Sequence, residues 1–189
     1  MLKKVGYQNA LISNDKGAIA EADKLILPGV GHFDYGMNQL RQSPFFDILN
    51  QRVLEDKIPI LGICLGAQLL TLGSEEGSER GLGWINAQTV KFKINQAQQF
   101  LKIPHMGWED IAIQKESKLL LNMPPDPRFY FVHTYHLVCD DPADELVSCT
   151  YGYPFTAGVE KGNILGVQFH PEKSHKYGLA LLRNFVENY

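Results

Sequence analysis

A chain of 189 residues, 44% hydrophobic and 21% charged, is long enough to bury a full core as one domain spanning residues 1–189. Its net charge of −3 gives no reason to expect nucleic acid or an anionic membrane as a partner, and no apolar run reaches spanning length. Three cysteines without C-x-x-C spacing and six histidines without ligand spacing indicate no disulfide framework, metal or cofactor, and a reduced, cytoplasmic setting is expected.

In chain order, Met1-Leu2-Lys3-Lys4 leads into no signal-peptide core. Residues 10–12, 24–27 and 58–63 are apolar and read as strands, with helical segments between them. Ser43-Pro44 predicts a helix start, serine as N-cap and proline at the first helical position, running towards Glu55. This alternation predicts an α/β fold with a mostly parallel sheet and helices on both faces. The second half is denser in β-type segments, at 84–94, 129–132, 146–150, 155–159 and 164–169, which add antiparallel strands. Ser174 can cap a final helix whose apolar stripe is Tyr177, Leu181, Leu182, Phe185 and Val186.

Two of these segments carry chemistry. The run Pro59-Ile60-Leu61-Gly62-Ile63-Cys64-Leu65-Gly66-Ala67-Gln68 reads as a buried strand bending sharply into a helix. Glycines two residues either side of Cys64 suit a bend too tight for a Cβ, the nucleophile-elbow layout with cysteine in place of serine. The bend exposes the sulfur, the helix N-terminus favours the thiolate, and the Leu65 amide is placed to donate to an oxyanion. Taken alone, a buried cysteine after a strand fits as well. Near the C-terminus, a second buried strand runs into His170-Pro171-Glu172. Pro171 is expected to keep this segment extended, which would put His170 and Glu172 on one side, a base and the group that orients it. A strand-end turn is the plainer alternative. Together the two motifs point to a Cys64–His170–Glu172 triad.

On these residues the chain resembles the class I, triad-type glutamine amidotransferases, a flavodoxin-like fold. Among them it is most similar to the glutaminase subunits of imidazole glycerol phosphate synthases. The resemblance runs from about Lys3 to Tyr189. It rests on Leu27-Pro28-Gly29-Val30-Gly31, the Cys64 block, Ile103-Pro104-His105-Met106-Gly107-Trp108, Tyr130-Phe131-Val132-His133-Thr134-Tyr135, and the stretch from Gly166 to Ser174. The order Cys, His, Glu is that family's order and differs from the nucleophile–acid–His order of α/β-hydrolases.

The resemblance implies hydrolysis of L-glutamine to glutamate, with ammonia passed to a β/α-barrel cyclase subunit in a heterodimer of histidine biosynthesis. It implies that a peptide at Val30 and Gly31 completes the oxyanion hole after a partner-triggered flip. Gln68, Glu76, Thr134 and Tyr135 then fall at substrate-binding positions. Tyr130, His105, Met106, Trp108 and Lys173 fall at the synthase-facing surface. Each has a plainer reading: a turn for Pro28–Gly31, a solvated loop carboxylate for Glu76, a half-buried strand for 129–136, ordinary packing for His105, Met106 and Trp108. Glu109 stands where the family usually carries asparagine, and His32 where a small residue is usual.

The family usually opens with a strand and loop before the helix with which this chain begins, so a start short of the natural one is expected. The same chemistry could feed a surface-polysaccharide sugar amidotransferase, or a degenerate subunit could bind a partner without catalysis. A peptidase or γ-glutamyl hydrolase relative is a further alternative, against which the Gln68 and Tyr130–Tyr135 blocks argue.

Overall fold

A computed structural model of the chain describes residues 1–94 and 100–189. The first half alternates helix and strand: α1 (Lys16–Ala20), β1 (Leu25–Gly29), α2 (Phe33–Gln42), α3 (Phe46–Asn50), β2 (Ile60–Cys64) and α4 (Leu65–Leu69). Strands then dominate: β3 (Gly73–Ser74), β4 (Ala87–Lys91), β5 (His105–Ile113), β6 (Arg128–His133), β7 (Tyr135–Cys139), β8 (Glu145–Tyr151), β9 (Tyr153–Lys161) and β10 (Ile164–Val167). The described chain closes on α5 (His175–Asn188).

The sheet is mixed, with strand order β1-β2-β10-β9-β7-β4-β3, while β8 pairs with β9 and β5, and β5 with β6. β2 lies between β1 and β10, parallel to both, and this trio carries Cys64 at its end. From β9 outward most pairs are antiparallel, a larger share than the alternation of the first half suggests.

Both faces of the parallel trio are covered, which explains why β2 is buried along its whole length. Strand parity sorts the side chains. Ile60 and Ile164 face Phe33, Met37, Leu40 and Leu49 of α2 and α3. Leu61, Ile63, Leu165 and Val167 face Leu181, Leu182 and Phe185 of α5. Each fully buried aliphatic or aromatic side chain of this kind contributes about 1.5–3 kcal/mol.

Three local expectations are corrected. Residues 10–12 form no strand: Leu11 is 81% exposed and Ile12 wholly so, and among the described residues β1 is the sheet edge with no neighbour beyond it. Apolar residues alone do not make a strand without a ladder partner. Ser43 closes a helix instead of opening one: it is the C-cap of α2 and its hydroxyl donates to the Leu40 carbonyl at 2.6 Å, so the next helix begins at Phe46. Ser174 stands at the N-cap position of α5, but its hydroxyl does not cap the helix. It accepts from the Tyr130 amide at 3.0 Å and donates to the His170 carbonyl at 2.6 Å, tying β6 to the turn after β10.

Candidate active site

The bend at Cys64 is a strained one. Its φ of 54° and ψ of −113° lie outside the ordinary regions for an L-residue, the signature of an elbow that lifts a side chain out of a strand end. The neighbouring glycines make it possible. A Cβ on Gly66 would lie 1.8 Å from the Leu27 carbonyl oxygen, so α4 crosses β1 backbone to backbone. Of the three free cysteines, only Cys64 stands at such a bend. Burial pushes the Cys139 thiol up to about 11 and the Cys149 thiol up to about 12, which leaves both protonated and unreactive at neutral pH.

His170 follows β10 and is held by its amide, which donates to the Tyr130 carbonyl at 2.9 Å. The segment after it is not extended: Pro171–Lys173 is a 3₁₀ turn, and Glu172 reaches the imidazole by folding back through that turn. A proline at the first position of a short helical turn is as natural as in an extended segment, so sequence alone does not distinguish them. His170 Nδ1 lies 2.7 Å from Glu172 Oε1 and donates to it, which leaves Nε2 for the sulfur. Nε2 is buried and meets no aligned hydrogen-bond acceptor, yet its interaction with Cys64, followed by that with Glu172, outweighs burial and pushes the imidazole up to about 9. Burial acts to raise the Glu172 carboxyl, but the hydrogen bond from His170, with smaller help from Lys173, holds it below its ordinary value. At neutral pH the pair is therefore imidazolium and carboxylate.

Cys64 and His170 line a cavity of about 360 Å³ together with Val30, Gly31, Leu65, Gln68, Glu76, Thr134, Tyr135 and Lys173. Ten of the residues singled out from sequence thus meet at one concavity. Val30 is 78% exposed and Gly31 has a φ of 105°, with open space around the position a Cβ would take. Glu76 is fixed by the Phe33 amide, which donates to one carboxylate oxygen at 2.8 Å. Gln68 is buried, and its amide nitrogen donates to the Tyr135 carbonyl at 3.2 Å and to Gln168 Oε1 at 3.0 Å. Both its N–H groups are then used, leaving its carbonyl oxygen to meet a ligand. The Tyr135 carbonyl also takes a hydrogen bond from His133 Nδ1 at 2.8 Å, so both its lone pairs are engaged.

Sequence reasoning passed over Gln168. It is wholly buried, and its amide nitrogen lies 3.7 Å from the Cys64 sulfur. The signal was present: one polar residue in an apolar strand, two before His170 and so on the same face in an extended chain.

The expected partner-facing residues divide by strand parity. Met106 is 61% exposed, Trp108 stands edge-to-face with Tyr130 at 6.2 Å, and the Lys173 ammonium lies 5.7 Å above the Tyr130 ring. His175 stacks flat on Trp108 at 5.4 Å and joins this outer face unforeseen. His105 is corrected: it is wholly buried, on the opposite face of β5, and touches no surface.

Comparison with known proteins agrees with this geometry. The class-I glutamine amidotransferase family model matches residues 1–189. A relative from Methanococcus maripaludis, imidazole glycerol phosphate synthase subunit HisH 2, is 51% identical over 99% of this chain and 91% of its own length. The HisH 2 subunit of Pseudomonas aeruginosa is 50% identical over the same shares. A crystal structure of a glutamine amidotransferase, 23% identical, superposes with a TM-score of 0.70 over 98% of this chain and 88% of that one. The chain belongs to the class-I glutamine amidotransferase family, on the branch of the HisH subunits of imidazole glycerol phosphate synthase.

Proposed function

We propose that the whole chain acts as one glutaminase domain that hydrolyses L-glutamine through Cys64, His170 and Glu172. It hands ammonia to a β/α-barrel cyclase subunit in a cytoplasmic heterodimer that makes imidazole glycerol phosphate. The observation that carries this reading is the meeting of Cys64 and the Glu172-bound His170 at a cavity with Glu76, in a chain of this family.

The chemistry follows from an imidazolium His170 held by a carboxylate Glu172 beside Cys64. The Cys64 thiolate attacks the carboxamide carbon, and the negative charge that develops on oxygen is met by the Leu65 amide and a peptide at Val30–Gly31. Imidazolium His170 gives its proton to the departing nitrogen, which leaves as ammonia and a thioester remains. The now neutral imidazole takes a proton from water, hydroxide attacks the thioester, and glutamate leaves with His170 and Cys64 restored. The Glu76 carboxylate suits the substrate ammonium, and Thr134 and Tyr135, whose backbone is proposed to hold its carboxylate, line the same cavity. Free ammonia is protonated at neutral pH and is then no nucleophile. That favours direct transfer past Tyr130 and Lys173 to a partner seated on Met106 and Trp108, apt interface anchors.

Because the acid form of His170 is required for ammonia departure, kcat/KM for glutamine should hold at neutral pH and fall as pH rises through about 9. Glu172→Gln removes the charge that helps hold this proton. The alkaline limb should move to lower pH, and kcat/KM should drop by about 10²–10⁴-fold. A limb that stays in place in a pH–rate profile of the variant would exclude this role for Glu172.

Complementation tests the acceptor. A histidine auxotroph lacking its own glutaminase subunit should grow without histidine when given this chain with its neighbouring synthase. Failure there, with normal histidine synthesis but an altered surface sugar in the gene's own deletion strain, would assign the ammonia to a sugar amidotransferase.

A further inference from the structure

β5 and β6 enclose a chain of buried polar groups that the hydrolytic steps do not use. His105 and His133 face each other as register partners, both buried, with His105 Nδ1 3.0 Å from His133 Nε2. The carbonyl of Tyr135 decides the direction. It can only accept, so His133 must donate to it from Nδ1, and His133 Nε2 must then be the bare nitrogen. His105 must therefore donate from its own Nδ1. That leaves His105 Nε2 buried, without a hydrogen-bond partner among the described residues, and 3.5 Å from Glu109 Oε1.

A bare ring nitrogen facing a carboxylate oxygen is repulsive, so this contact calls for a proton. From the Tyr135 carbonyl the chain continues through the Gln68 amide to Gln168 and the Cys64 sulfur, each link having one donor and one acceptor. Six groups are thus aligned between β5 and the nucleophile.

We propose that Glu109, His105 and His133 form a positioning relay for the glutaminase site, in which one proton shared between Glu109 and His105 holds both imidazoles in the Nδ1–H form. The relay fixes the Tyr135 carbonyl and so the Gln68 and Gln168 side chains beside Cys64. This role rests on the glutaminase reading above. Burial lowers His105 to about 4 and acts in the opposite direction on the Glu109 carboxyl, which is 36% exposed, so of the two groups Glu109 is the better holder of a proton in this contact. Other charges and titrating groups bear on the relay: Asp110, Arg128 and Cys149 around Glu109, and His136 and His170 around His133. Tyr151 stacks on His105 at 3.9 Å.

The test combines tautomer and kinetics. Long-range proton–nitrogen spectra of the full chain at neutral pH should show His105 and His133 neutral, each protonated at Nδ1. In the complex with the synthase, KM for glutamine should rise as pH rises through the Glu109 titration. Glu109→Gln, whose amide N–H can donate to Nε2 at any pH, should keep the low KM and lose its pH dependence. Glu109→Ala should raise KM by about ten-fold with a smaller change in kcat, the scale of leaving the buried His105 Nε2 with no proton facing it.

A wild-type His105 that carries its proton on Nε2, or a Glu109→Ala enzyme with wild-type KM, would overturn the relay. Labelling of Cys64 by an electrophilic glutamine analogue reads the glutaminase reaction separately. Labelled protein whose Glu109 variants behave as wild type removes the relay alone, and protein neither labelled nor active removes the glutaminase reading while the spectra still decide the tautomers.

Discussion

Cys64→Ala should lower glutamine hydrolysis in the synthase complex by about 10⁶-fold, and adding His170→Ala should lower it little further. In the proposed mechanism the two act as one unit. Without sulfur there is no thioester, and a proton held by His170 then has no departing nitrogen to meet. Neither of the other thiols can substitute. Cys149 is buried on β8 with its thiol pushed up to about 12, and Cys139 is held near 11. The loss should leave the fold intact, because Cys64 makes its contacts at the edge of a cavity and alanine suits the same backbone no worse. An electrophilic glutamine analogue should label one cysteine, found by mass spectrometry at Cys64. Label on Cys139 or Cys149, or near-normal activity in His170→Ala, would refute the assignment.

Why the sequence leads this far and then stops is clear from particular residues. Elements whose partners are local were readable: the apolar run into Cys64, the strand before His170, and the stripe Leu181, Leu182, Phe185 that packs on the sheet as expected. Features settled by distant partners were not. Residues 10–12 have strand-like composition, but pairing depends on a neighbour that composition does not report. Strand parity would have separated His105 from Met106 and Trp108, had β5 been recognised as a strand. The motif alone does not show that alternate residues face opposite ways, and so does not separate the buried histidine from its exposed neighbours. Glu109 departs from the family pattern, and its contact with His105, which leads on through His133 to the Tyr135 carbonyl on another strand, is one that no local pattern reveals. Likewise Ser174 has the residue type of a helix cap, and its hydroxyl bonds instead to a strand 44 residues away in sequence.

The isolated chain should turn glutamine over very slowly, and its cognate synthase should raise kcat by about 10²–10³-fold, the worth of one oxyanion donor. The Leu65 amide is fixed at the start of α4, and the second donor of the proposed oxyanion hole is the peptide at Val30–Gly31. That loop is lightly packed: Val30 is 78% exposed, and Gly31 sits at a φ of 105° with open space where a Cβ would be. Its far end, by contrast, is anchored, since the Phe33 amide is bonded to Glu76. In the proposed complex, glutamine at Glu76 would act on the residue that holds the loop, and a partner seated on Met106 and Trp108 would meet Lys173, which lines the same cavity. Gly31→Ala separates the two donors. A Cβ finds space there, but the positive φ is strained for any L-residue by about 1–2 kcal/mol. The strain falls on the resting conformation, so the variant should bind the synthase, show a raised basal rate, and be activated by a smaller factor than wild type. Vigorous turnover by the wild-type chain alone, or full activation of Gly31→Ala, measured as ammonia release with and without the synthase, would rule out gating at this loop.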